Sequence, residues 1–181
     1  MYKTILVLVL LLLFVQNSNE PVISWKDNYR LTWSNFKAKP KHSVSAVATT
    51  ASGITFGFSI RESDKRVISF KTEVHAHFYP KQSWYKPKQA NNYVLRHEQL
   101  HFDITELFVR KFRKRISLLK TNNNIANELR DLHKRINKEL ADFQNQYDTD
   151  TDFSRNVKAQ LKWEALIEIE LNKLHHFKSK N

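Results

Sequence analysis

The chain contains no cysteine, and that one absence removes several chemistries. Thiol catalysis, a disulfide framework and a lipid anchor on an N-terminal cysteine are all excluded. Glycine is nearly missing too, with only Gly53 and Gly57 in 181 residues. No G-x-G-x-x-G stretch, Walker loop or G-x-S-x-G elbow occurs, so neither a phosphate-cradling loop nor a hydrolase serine is expected. Acidic residues are short against basic ones, 18 to 30, for a formal net charge of +12. Such an excess suits nucleic acid, an anionic membrane surface or wall polymer, or plain solubility. Its richest run, Arg110, Lys111, Arg113, Lys114, Arg115 and Lys120, has helical spacing and reads as a solvated face. No nucleic-acid motif accompanies it, and no nucleic-acid partner is expected.

Long apolar runs are also scarce. Lys3 precedes the apolar stretch from Ile5 to Val15, and polar Gln16 to Glu20 follows. That order is the pattern of a secretory signal peptide, and the stretch falls short of the about 20 residues that span a bilayer. Residues 1–18 are therefore expected to be a signal peptide, with 19–181 a single domain and no transmembrane span. A secreted or periplasmic location follows, and secretion without disulfides fits a bacterial envelope.

Two kinds of periodicity divide the rest, with strands expected over about 28–79 and helices over about 92–176. Ile68, Phe70, Thr72, Val74, Ala76 and Phe78 alternate with polar residues, which predicts a half-buried strand from Arg66 to Tyr79. Polar Arg61 to Lys65 would join it to a strand ending at Ile60, and Tyr29 to Trp33 also reads as strand. A helix is expected from Asn92 to Leu119. A second carries Ile125, Leu129, Leu132, Ile136, Leu140 and Phe143 at spacings of three and four. The acidic stretch Tyr147 to Asp152 interrupts that pattern. A last helix, Ser154 to Leu174, offers Val157, Leu161, Leu166, Ile167, Leu171 and Leu174. The fold class is α+β, an N-terminal antiparallel sheet followed by three main helices.

The first long helix carries His97-Glu98-Gln99-Leu100-His101. Histidines four apart lie about 40° apart around a helix, so both imidazoles can reach one metal ion. Glu98 sits beside that face, placed to take a proton from water activated there. The pattern arises by chance in roughly one such sequence in fifty, so context has to carry it.

A catalytic zinc normally takes three protein ligands, and helix geometry removes the nearest carboxylates. Asp103 and Glu106 lie about 160° and 140° around the helix from His101. The acidic stretch offers Asp148, Asp150 and Asp152, which could equally cap the last helix. Glu164 and Glu168 are further candidates. His75 and His77 read as an exposed strand face, His175 and His176 as a solvated tail.

Several blocks in order have a familiar look: Leu31-Thr32-Trp33-Ser34-Asn35-Phe36, Ala48 to Ile54, Ser83-Trp84, Leu95 to Ile104 and Tyr147-Asp148-Thr149-Asp150-Thr151. The set resembles a family of secreted bacterial proteins, domain of unknown function 922, described as zinc-dependent proteases. The resemblance covers nearly the whole chain after the signal segment. It implies a small zincin-like fold with His97 and His101 as zinc ligands and Glu98 as catalytic base. The family's Tyr-Asp-x-x-Thr stretch is commonly followed by x-His, and Phe153 stands there in this chain.

The expected function is a secreted or periplasmic zinc metallopeptidase acting on a peptide or protein substrate. Zn²⁺ would be held by His97, His101 and Asp148, with Asp152 the alternative third ligand. Tyr147 or His75 could stabilise the oxyanion, and the strand from Arg66 to Tyr79 could align substrate. The rival is a non-catalytic, basic envelope-binding protein with a structural or degenerate H-E-x-x-H site.

Overall fold

The alternation around residues 66–78 produces the central strand of the molecule. The computed structural model describes residues 20–179; the expected signal segment lies outside them. Strand β1 (Ile23–Ser24), strand β3 (Ser52–Ser63) and strand β4 (Arg66–Phe78) form an antiparallel sheet in the order β1-β4-β3. Strands β2 (Ala48–Thr49) and β5 (Trp84–Tyr85) pair separately. Helices α1 (Asn92–Ile116), α2 (Ile125–Asp150) and α3 (Val157–Lys173) follow, so the α+β order holds.

The β3–β4 hairpin turns on Asp64 and Lys65, both at positive φ (48° and 62°), with Ser63 opposite Arg66. A two-residue turn of that kind matches strand twist. The register then jumps, pairing Arg61 with Ser69 but Glu62 with Val67. Ile68 is the extra residue of this bulge, and it is 47% exposed instead of inward. Alternation resumes beyond it. Phe70, Thr72, Val74, Ala76 and Phe78 share the face towards the helices, where Phe78 meets Phe102 and Phe56 meets Phe112.

Residues 29–33 form no strand. The Leu31 N–H donates to the Gln99 side-chain oxygen at 2.7 Å, and a 3-10 turn occupies Trp33–Asn35. A side chain of α1 thus satisfies the backbone that a neighbouring strand was expected to satisfy.

Asn91 starts α1 by accepting from the N–H groups of Tyr93 and Val94. Arg113, Lys114 and Arg115 fill its last turn, where positive charge complements the helix dipole. Between these ends α1 lies with the sheet on one side and α2 and α3 on the others, and sixteen of its 25 residues are buried. The basic run is only partly a solvated face. Arg110 is buried against Glu106, and Arg115 makes a two-pronged pair with Glu139 at 2.7 Å.

Helix α3 also turns differently from expectation. Val157, Leu161 and Leu166 face outward, while Gln160, Trp163 and Ile167 are buried. The Gln160 amide nitrogen donates to the Tyr93 carbonyl and the Trp163 indole to Asp150, while the Gln160 side-chain oxygen is buried without a partner. Among the described residues, no helix is long and apolar enough to cross a membrane.

The inward and bulged positions predict opposite outcomes. Phe112→Ala is expected to cost about 3–5 kcal/mol by denaturant unfolding, and Ile68→Ser less than about 0.5 kcal/mol. A large loss at Ile68 would contradict the bulge.

Candidate metal centre

Every residue of α1 from His97 to Arg110 is buried except Asp103, which is half-buried. A buried polar group needs a partner, so the polar residues in this stretch can be accounted for one by one. Gln99 receives the Leu31 N–H and donates to Asp103, which also accepts from the Trp25 indole at 2.7 Å. Glu106 takes Arg110 at 2.9 Å, and Arg110 reaches on to the Leu171 carbonyl at the end of α3, with its Nη2 left unpartnered. Thr105 bonds back to the His101 carbonyl. Asp103 and Glu106 therefore serve the packing of the N-terminal segment and α3. His97, Glu98 and His101 remain.

The two histidines are served from α2. Its last turn includes Asp148, because the acidic stretch continues the helix to Asp150 and does not break it. Asp148 Oδ1 lies 3.0 Å from His97 Nε2 and 3.0 Å from His101 Nε2. The three candidate ligand atoms lie within 4.8 Å of one another. Tyr147, next in sequence and fully buried, stacks on the His97 ring at 4.5 Å and meets the His101 ring edge-on at 5.0 Å. The two imidazole planes stand 83° apart, so both rings aim at one point from different sides.

The electrostatics follow from this crowding. Burial alone would raise the Asp148 pKa, but the ring nitrogens of His101 and His97 outweigh it and hold the carboxyl well below the usual carboxylate range. Burial pulls the other way at His101, where Asp148 and the charge of Glu98 lift the imidazole above its ordinary value. A proton and a cation thus compete for the same nitrogen. Burial and the Glu98 and Asp148 charges push the Tyr147 phenol up, so it stays protonated.

The residues fit a divalent transition ion. Two imidazoles and one carboxylate form a donor set suited to zinc and its neighbours. Among the described residues six buried side-chain polar atoms lack a hydrogen-bond partner, and two of them, His97 Nδ1 and Glu98 Oε2, belong to the group His97, Glu98 and His101.

The other expected residues lie elsewhere. Asp152, on an exposed turn after α2, is paired with Arg155 at 2.6 Å and is not part of the cluster. Phe153 is 57% exposed, in a run of three positive φ angles with Asp152 and Ser154. Glu164 sits beside Arg96 at 3.7 Å, lining with Glu168 a cleft of about 1180 Å³ between the N-terminal segment, α1 and α3. His75 and His77 stack on each other with parallel rings on the outer face of the sheet, away from α1. His75 therefore has no access to the cluster, and the Tyr147 hydroxyl is turned to the His97 carbonyl at 3.3 Å. Neither suits an oxyanion donor.

Gln144, within reach of His101 at 2.9 Å, was not foreseen. Its signal was present: Gln144 and Asp148 are four apart and share a face once α2 is extended through Asp150.

An α+β protein with a His/His/Asp cluster between its first two helices, the histidines buried and the aspartate half-buried, is the class these features define. A family model described as bacterial protein of unknown function (DUF922) matches residues 28–155. The chain belongs to that family. The matched stretch holds the sheet hairpin, the whole cluster and the turn after α2, and it ends before α3. No curated protein and no solved structure matches the chain.

The accounting along α1 predicts that Glu106→Gln is costly. It leaves the Arg110 guanidinium, 3% exposed, without its charge partner, and about 3–5 kcal/mol should be lost in urea unfolding. A loss under about 1 kcal/mol would show that the pair does not bind α3 to α1.

Proposed function

We propose that this chain is a zinc-dependent peptidase of the bacterial envelope or exterior. The observation that carries the reading is the convergence of His97 Nε2 and His101 Nε2 on one Asp148 oxygen, with Glu98 buried alongside. His97, His101 and Asp148 would hold the zinc. Zinc at this position would lower the pKa of water towards 7 and polarise the scissile carbonyl.

The remaining work falls to the chain itself. Glu98 Oε2 accepts no hydrogen bond, so a lone pair is free to take the proton of the attacking water and pass it to the leaving amine. The Glu98 backbone is held in place by the Thr50 hydroxyl, which donates to its carbonyl at 3.1 Å. Tyr147 and Trp163 pack behind the imidazoles and exclude water from that side.

An extended substrate would add to an open strand edge. The strand expected for this, β4, is central: β1 covers one end, and the Asn123 and Arg113 side chains take the Val67 N–H and Val74 carbonyl. Strand β3 is the better candidate. It forms the far edge of the sheet, and Ser52 at its start touches Thr105, one turn beyond His101.

The rival reading, a basic envelope-binding protein with a structural H-E-x-x-H, draws on α3. Its outward Val157, Leu161 and Ile169 lie among Lys158 and Lys162. Metal content and turnover separate the two. The peptidase is expected to purify with near one zinc per chain, and Glu98→Gln to keep that zinc while cleavage of a peptide mixture falls about 100-fold or more. Protein without stoichiometric zinc by elemental analysis would sink the peptidase reading.

A further inference from the structure

The two imidazoles of the cluster are held by different means. The His97 ring is oriented by the face of Tyr147, 22° from parallel, and its Nδ1 has no partner. The His101 ring is oriented by hydrogen bonds on both sides. Its Nε2 faces Asp148 Oδ1 at 3.0 Å, and its Nδ1 faces Gln144 Oε1 at 2.9 Å.

Which His101 nitrogen carries hydrogen follows from the groups behind Gln144. The Thr105 hydroxyl has one hydrogen, and it points to the His101 carbonyl at 3.1 Å. Thr105 Oγ1 accepts from the Gln144 amide nitrogen at 3.2 Å and shares a hydrogen bond with the Ser52 hydroxyl at 2.7 Å. An amide whose nitrogen is turned to Thr105 presents its oxygen to His101. That oxygen can only accept, so Nδ1 bears the hydrogen. With Nδ1 so held, Nε2 is the nitrogen that faces Asp148, and in the neutral ring its lone pair is the one aimed into the cluster.

We propose that Gln144 is the positioning residue of this centre, holding His101 in the one tautomer that can ligate a metal through Nε2. Ser52 and Thr105 extend the support, so the first residue of β3, α1 and α2 are joined behind the ligand. The proposal rests on the reading of the cluster as a zinc site. Without Gln144 the buried Nδ1–H would have no acceptor, and the ring would prefer to carry its hydrogen on Nε2, donating to Asp148. That tautomer has no lone pair for the ion. Partners of this kind typically change metal affinity by about 10- to 100-fold.

The test is zinc affinity of the full chain by chelator competition, in wild type, Gln144→Leu and Gln144→Glu. Gln144→Leu is expected to bind zinc about 10- to 100-fold more weakly. Gln144→Glu keeps an acceptor and is expected to stay within a few-fold of wild type, with the metal-free melting temperatures alike. Equal zinc binding by wild type and Gln144→Leu would overturn the inference alone, as would equal losses in both variants. Wild type that takes up no zinc would overturn the metal-site reading and this inference with it. The zinc-loaded wild type gives a readout that needs no variant to fold. A nitrogen-15 spectrum with hydrogen on His101 Nδ1 supports the proposal, and one with hydrogen on Nε2 refutes it.

Discussion

Helix α1 has no solvent face between His97 and Arg110, and the rest of the molecule is arranged around that constraint. A helix buried on all sides would ordinarily be apolar. This one brings Gln99, Asp103, Thr105, Glu106 and Arg110 inside, and each must find its partner in another element. Gln99 and Asp103 fasten the N-terminal segment, Glu106 and Arg110 fasten the end of α3, and Thr105 fastens the start of β3. The polar positions of α1 therefore act as its docking points.

His97, Glu98 and His101 fit this scheme only in part. Asp148 answers both histidines with a single oxygen, while His97 Nδ1 and Glu98 Oε2 are left bare inside the protein. A site that burial makes costly and that packing does not complete is where function is to be sought. The surroundings point the same way. Tyr147 fixes one ring by its face, Gln144 fixes the other by its amide, and both come from the final turns of the helix that supplies Asp148. One helical face of α2 thus sets the geometry of two side chains on α1.

Much of this was legible before the fold was known. The spacing of His97 and His101 placed them on one helical face, and the angular argument that set Asp103 and Glu106 away from them agrees with where they lie. The hairpin and the three helices announced themselves by period. What failed did so for identifiable reasons. Ile68 matched an alternation that a bulge interrupts, and no residue type in that stretch signals the bulge. Leu31 and its neighbours have strand composition, but a glutamine 68 residues away takes their hydrogen bond. Val157, Leu161 and Leu166 have the spacing of a core stripe, yet Gln160 and Trp163 go inward because partners await them on α1 and α2. The acidic stretch looked like a loop because Asp and Thr favour caps and turns, and only the tertiary pairing of Asp148 with two histidines shows why the helix runs on.

The central claim is that one ion completes the cluster between α1 and α2. The most direct measurement is a metal-anomalous difference map from crystals of the protein, collected above and below the zinc edge. The account predicts a single strong peak about 2.0–2.2 Å from His97 Nε2, His101 Nε2 and an Asp148 oxygen. No peak there, or a peak held by His75 and His77 on the outer sheet face instead, would contradict it.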